Sequence, residues 1–133
     1  MYVLRWLIDL WNFDFEGQIL STVLVFIAGV VIVIVGGYQF RKASTTVNPL
    51  QLEKSSQLVT NGIYRFSRNP MYVGFLLILL AWTLFLGSAI AFLLLPVFLA
   101  LITKVQILPE ESMLEEIFGE EYINYKKRVR RWI

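Results

Sequence analysis

The chain has 133 residues, the length of one domain, and 57% of them are hydrophobic against 17% charged; its mean hydropathy is +0.64. That is more apolar surface than a soluble domain of this size can hide, so the sequence reads as an integral membrane protein. Cysteine and histidine are both absent, which excludes disulfides, thiolate nucleophiles, Cys/His metal sites, haem ligation by His and Ser-His-Asp catalysis, and the net charge of +2 is too small to suggest nucleic acid.

Residues 1–17, MYVLRWLIDLWNFDFEG, lack the basic start of a signal peptide, and Arg5 and Asp9 interrupt their apolar run. Val3, Trp6, Leu7, Leu10 and Trp11 fall on one helical face, opposite Arg5, Asp9 and Asn12. This spacing predicts an interfacial helix with Tyr2, Trp6 and Trp11 in the headgroup layer.

A first transmembrane helix is expected over 18–40. Its central stretch, Ile19 to Tyr38, is uncharged and at 1.5 Å per residue covers about 30 Å, the hydrocarbon thickness of a bilayer. Gly29, Gly36 and Gly37 allow a close approach of another helix of the same chain. Residues 41–70 are polar, with turn signals at Asn48-Pro49 and Asn61-Gly62. They form a long loop of the kind that is functional or disordered.

Met71 to Ile102 is almost continuously apolar, too long for one span. Gly87-Ser88 divides it into a tight helical hairpin with arms over 71–87 and 88–108. Pro96 should kink the second arm, and Lys104 should snorkel to the interface or face a site. Pro109 reads as the first residue of a new helix, with Glu110 and Glu111 in its first turn, where negative charge suits the helix dipole. Met113, Leu114, Ile117 and Phe118 make an apolar stripe that Gly119 breaks. Tyr122, Tyr125 and Val129 begin a second stripe leading to the basic end, KKRVRRWI. Residues 109–133 are therefore expected to be amphipathic helices on the membrane surface. The fold class is all-α: an integral membrane protein with about three transmembrane helices, an N-terminal interfacial helix and a C-terminal amphipathic cytoplasmic helix.

Arg41, Lys42, Lys54, Arg65 and Arg68 lie in the loop and a basic cluster ends the tail, whereas Asp9, Asp14 and Glu16 lie near the N-terminus. The positive-inside rule then puts the 41–70 loop and the C-terminus together in the cytoplasm. Gly62–Gly74, GIYRFSRNPMYVG, thus shares a membrane face with the Glu110 helix. Asn69 and Pro70 suit the N-cap and N1 positions of the second span, and a helix start there also offers free N–H groups to an anion. Tyr64, Phe66 and Tyr72 suit either an interface or stacking on a ligand. Glu110 is a carboxylate close to the bilayer, where a cationic or hydroxyl-bearing partner would relieve its cost.

LVTNGIYRFSRNPMYVG, the hydrophobic hairpin and EESMLEEIFGEEYINYKKRVRRWI together resemble the isoprenylcysteine carboxyl methyltransferase and phospholipid methyltransferase superfamily, over about residues 50–133. The family patterns are roughly GxYxxxRHPxYxG and an Arg four residues before EE, followed by FGxxYxxY and a basic end. The resemblance implies a short prokaryotic-type membrane enzyme of the cytoplasmic membrane. It also implies S-adenosylmethionine as cofactor, a lipid-like substrate whose tail enters between the spans, and no obligatory protein partner.

By matching position, the cofactor contacts would be Ser56, Gln57, Leu58 and Val59, then Tyr64, then Asn69, Pro70, Met71 and Tyr72, then Glu110, with Gln51 before Lys54 as a further one. No catalytic residue is assigned; Glu110, Lys104 and Gln106 are the candidates. The chain departs from the pattern twice. Asn69 stands where the family has His, so a proton transfer through that residue is ruled out. Gln106 stands where the family has the substrate-facing Arg, so a charged carboxylate anchor is missing unless Lys104 supplies it. A phospholipid or amine N-methyltransferase, or a non-catalytic membrane scaffold or lipid-binding protein, are the alternatives.

Overall fold

The computed structural model describes residues 3, 9, 11–44 and 58–133, and among these the regular structure is helical. Helix α1 spans Gln18–Ser44. A short 3-10 turn, Gly62–Arg65, precedes α2, Pro70–Leu86. A second 3-10 turn, Ala89–Leu93, runs into α3, Leu94–Ile102. A π-helical turn, Thr103–Ile107, joins α3 to α4, Leu108–Phe118, and α5 follows over Glu120–Arg128.

Two stretches, Gln18–Lys42 and the continuous helix Ala89–Phe118, are long and apolar enough to cross a membrane, with mean hydropathies of 3.0 and 2.2. Pro70–Leu86 is apolar but shorter, at 17 residues, about 25 Å at 1.5 Å per residue. The outward faces of these helices carry exposed Ile19, Leu24, Ile34, Trp82, Phe85 and Leu101. A surface of that kind matches lipid rather than water.

Lipid is as apolar as a leucine side chain, so it does not drive helices together; close backbone approach does. Helices α1 and α2 meet in that way. A Cβ on Gly29 would lie 2.8 Å from the Gly74 carbonyl oxygen and 2.9 Å from Ile78 Cγ1, and one on Gly74 would lie 2.6 Å from Val33 Cγ2. Gly36, seven residues after Gly29 on the same stripe, takes Met71 and Pro70 of α2. The expected intramolecular packing of these glycines is what the structure has.

The hairpin turn also falls where expected. Gly87 adopts a left-handed conformation, φ 60°, and ends α2. Its own N–H donates to the Leu84 carbonyl (3.2 Å), and the N-terminal segment pairs with the next backbone groups of the turn. Phe13 N–H donates to the Gly87 carbonyl (2.7 Å), and Ala89 N–H donates to Trp11 (2.7 Å). The Gln18 side chain donates to the Leu84 carbonyl (2.7 Å).

Three expectations change. The interfacial helix expected over 1–17 does not run to its end: Val3 and Asp9 are helical, but Asn12 pairs with Ser88 as an isolated antiparallel bridge and residues 13–15 are not helical. The reason is the hairpin turn, which takes its hydrogen bonds from this backbone. Pro96 lies not in a helix interior but in the first turn of α3, after a 3-10 segment, where its missing N–H displaces little. Pro109 does stand in the first turn of α4, with Glu110 and Glu111 after it, but α4 is not a separate helix. The helical backbone runs into it from α3 through the π turn, where Leu108 N–H bonds to the Thr103 carbonyl, five residues back. The break comes instead at Gly119, φ 56°.

The glycine contact predicts a contrast between neighbours. Gly29→Ala should destabilise the folded chain by about 1–3 kcal/mol through overpacking. A Cβ at Gly37 meets only Met71 Cε at 3.9 Å, so Gly37→Ala should be neutral or stabilise by up to ~1 kcal/mol, since glycine weakens a helix interior. Thermal unfolding of both variants in one detergent measures the difference.

Candidate active site at the polar end of the helices

The polar end is held together by one carboxylate. Adjacent residues on a helix point about 100° apart, so Glu110 and Glu111 cannot share a task, and they do not. Glu111 is buried. Arg131 grips it in two places, with Nε to Oε1 at 2.8 Å and Nη2 to Oε2 at 3.0 Å. Arg68 Nη1 reaches the same Oε1 at 3.2 Å, and the Arg68 and Glu111 side chains are each only 9% exposed. Arg68 also donates to the Tyr122 hydroxyl (3.4 Å).

Around this pair the α5 tyrosines form the core of the polar end. Tyr122, Tyr125 and Val129 are buried together, with Leu58, Leu114 and Phe118 packed against them. The Tyr125 hydroxyl donates to the Tyr64 carbonyl (2.7 Å), which fixes the 3-10 turn. Burial pushes the Tyr125 phenol well above its ordinary value, so it stays protonated and stays a donor. A second ion pair, Lys126 with Glu115, closes the α4–α5 corner.

Glu110 faces the other way, half-buried. Tyr72, in the first turn of α2, donates its hydroxyl to Glu110 Oε1 at 2.9 Å. Gln106, one turn earlier on the same helix as Glu110, donates its amide to that oxygen at 2.8 Å. No hydrogen bond reaches Oε2 from any described residue. Tyr64 stands close by, with its hydroxyl donating to the Gly36 carbonyl (3.4 Å). Burial, and then the Glu110 carboxylate, push the Tyr64 phenol up to about 12, so it too remains a neutral donor.

An apolar cleft of about 690 Å³ opens between α1, α2 and α3, lined by residues including Phe26, Phe75, Ile78, Trp82 and Phe98. Phe75 connects it to the polar cluster, its ring centroid lying 6.3 Å from that of Tyr72.

Of the residues expected to hold a cofactor, the structure therefore brings together Tyr64, Tyr72 and Glu110, along with the catalytic candidate Gln106. It places others differently. Asn69 occupies the N-cap position, with its carbonyl taking the first helical bond from Val73. Its side chain makes no cap, however, and donates to the Arg131 carbonyl (3.0 Å) instead. Pro70 is buried, and Met71 packs against Gly36 and Gly37 of α1. Leu58 joins the tyrosine core and Val59 is half-buried. Lys104 is exposed. Gln51, Ser56 and Gln57 lie outside the described residues. Sequence reasoning missed Arg68, Glu111 and Arg131 as a unit. The available signal was the adjacent acid pair, whose two members must face different ways.

A family model for phospholipid methyltransferase matches residues 18–121. The chain belongs to the phospholipid methyltransferase family. Among curated relatives, it is 32% identical over 120 residues to the protein-S-isoprenylcysteine O-methyltransferase of Saccharomyces cerevisiae, covering 83% of this chain and 49% of that one. It is 38% identical over 76 residues to the Schizosaccharomyces pombe enzyme of the same name, covering 57% and 32%. A Haemophilus influenzae protein described only as uncharacterised is 52% identical over 63 residues, 47% of this chain and 100% of that one. The chain thus spans between 32% and 49% of the length of these two fungal methyltransferases. No solved structure matches it.

The two acids should separate in mutagenesis. Glu111→Ala leaves two guanidiniums without their buried partner and should cost about 3–5 kcal/mol. Tyr125→Phe leaves the Tyr64 carbonyl unpaired and should cost about 1–3 kcal/mol. Glu110→Ala should shift unfolding by no more than about 1 kcal/mol, since neutral donors to a half-exposed group return to water. Unfolding midpoints in detergent, read by circular dichroism, give all three.

Proposed function

We propose that this family member is an S-adenosylmethionine-dependent membrane methyltransferase. It would act on a lipid-like or isoprenoid amphiphile at the cytoplasmic face of the membrane. The observation that carries the reading is the convergence of Tyr72 and Gln106 on one oxygen of Glu110, beside an apolar cleft that Phe75 joins to the cluster.

The residues fit such a cofactor. Among the described residues the partners of Glu110 are neutral, so none of them cancels its charge and one oxygen is available to an ammonium or to ribose hydroxyls. Tyr64 and Tyr72 add aromatic faces and neutral hydroxyls on the same side. When bound, S-adenosylmethionine supplies a methyl group already activated by a sulfonium, so the protein's contribution is alignment and exclusion of water. Glu110 and Tyr64 would hold the polar part of the ligand, and Tyr72 would fix the Glu110 rotamer. The cleft along α2 would take the apolar tail of the acceptor, with Phe75 and Trp82 in its wall.

A second reading concerns the acceptor. Gln106 is neutral and already bonded to Glu110, which favours an amine or another neutral nucleophile over an acceptor that is itself a carboxylate.

Calorimetry with S-adenosylmethionine in detergent tests the cofactor: binding is expected, and its absence at millimolar ligand would sink the enzyme reading. Glu110→Ala should weaken binding by about tenfold or more, the loss of ~1.4 kcal/mol or more expected on removing a charged hydrogen-bond partner; unchanged affinity removes Glu110 from the site. Mass spectrometry of membrane lipids after incubation with isotopically labelled cofactor then identifies the acceptor.

A further inference from the structure

The C-terminal residues Arg130 and Arg131 touch both halves of the Glu110 cluster without entering it. On one side, the Arg131 guanidinium grips Glu111, the residue next to Glu110. On the other, the tail backbone holds the segment that leads into α2. The Arg68 N–H donates to the Arg130 carbonyl (3.0 Å). The Arg131 carbonyl accepts from the Asn69 side chain (3.0 Å) and the Ser67 hydroxyl (3.4 Å). Ser67 Oγ in turn accepts from Asn69 N–H (3.1 Å). Tyr72 is three residues further on, in the first turn of α2.

We infer that Arg131 is a positioning residue: the C-terminal tail is a strap that sets the distance between the α2 start, which carries Tyr72, and the α4 start, which carries Glu110. Three features support this. The strap makes its contacts with atoms of fixed geometry, a planar guanidinium on a buried carboxylate and two successive backbone carbonyls, so it transmits position and not merely attraction. Asn69 has given up its cap to join it; a side chain at an N-cap ordinarily bonds to the helix's own N–H groups, and here it reaches the tail instead. The third is connectivity. Among the described residues, the charged contacts between 67–69 and the α4 acids run through Arg68 and Arg131, so removal of the Arg131 side chain leaves Arg68 as the one guanidinium on Glu111, with the neutral Tyr72–Glu110 and Tyr125–Ser67 bonds beside it. The charge distribution agrees with a structural use of these two arginines. Arg131 and Arg68 share one buried acid, while Lys127, Arg128 and Arg130 near them are exposed.

The inference rests on the proposed cofactor site, and its test separates the two. Wild type, Arg131→Ala and Arg131→Lys are compared in detergent by two measurements: calorimetric affinity for S-adenosylmethionine, and amide hydrogen exchange followed peptide by peptide. Arg131→Ala should weaken the affinity about tenfold, within the range typical of coupling between two sites. It should also speed exchange over 67–73 while leaving α1 and the middle of α2 protected as in wild type. Arg131→Lys keeps the charge but not the forked contact, and should fall between them on both measurements. Wild-type affinity in Arg131→Ala would overturn the inference. So would a loss of affinity accompanied by faster exchange throughout α1 and α2, because that is general unfolding. If Arg131→Ala does not fold, Arg131→Lys decides by the same two criteria. If wild type binds no cofactor, the proposed function fails, and the strap is judged on exchange over 67–73 alone.

Discussion

A single buried carboxylate, Glu111, fixes the geometry of the polar end. Taking it from water unpaired would cost several kcal/mol. Two guanidiniums compensate it, and they arrive from segments distant in sequence: Arg68 from the loop before α2 and Arg131 from the tail. Each needs a particular placement of its backbone, and both must meet one acid at the start of α4. An apolar trio would tolerate sliding. The charged trio does not, because a displaced arginine leaves a buried charge unpaired.

The two ends of the molecule therefore cohere by different physics. Along the apolar stretch, α1 and α2 are joined by backbone approach at Gly29 and Gly74, a contact that needs no hydrophobic drive and works in lipid. At the polar end, cohesion comes from the Glu111 ion pairs and the buried tyrosines Tyr122 and Tyr125. Tyr72 stands at the change from one regime to the other. Its hydroxyl belongs to the Glu110 cluster and its ring to the apolar series continued by Phe75. A ligand with a charged head and an apolar body would meet both environments there.

Much of this was legible in the residues. Long uncharged runs give spans whatever their neighbours do, and Gly87-Ser88 marks a turn because an unbroken helix would overrun a bilayer. The meeting of Tyr72 with Glu110 followed from charge topology and motif resemblance. What could not be read were choices made by tertiary partners. Asn69 has the composition of a cap, and only the folded tail offers it a carbonyl. Arg68 reads as one more basic residue of the loop until Glu111 is seen beside it. Trp11, Asn12 and Phe13 belong to a stretch with a helical pattern in sequence but pair with a turn more than seventy positions away. Pro109 stands in the first turn of α4 as its type suggests, but the continuity of α4 with α3 rests on a π turn, which has no compositional signature.

The division of the two acids follows from helical spacing. Gln106 lies four residues before Glu110, the ordinary spacing of neighbours on one helical face, and bonds to it. Glu111, about 100° further round the helix, is directed at Arg68 and Arg131. One acid is fully committed to holding the chain. Among the described residues the other is held by neutral donors, an amide and a phenol, which fix its orientation without cancelling its charge. Had a cation taken the place of Gln106, the carboxylate would be compensated from within and would have less to offer a positively charged ligand. Among the described residues, neutral orientation of one acid beside charged fixation of its neighbour leaves a directed negative charge next to an apolar cleft.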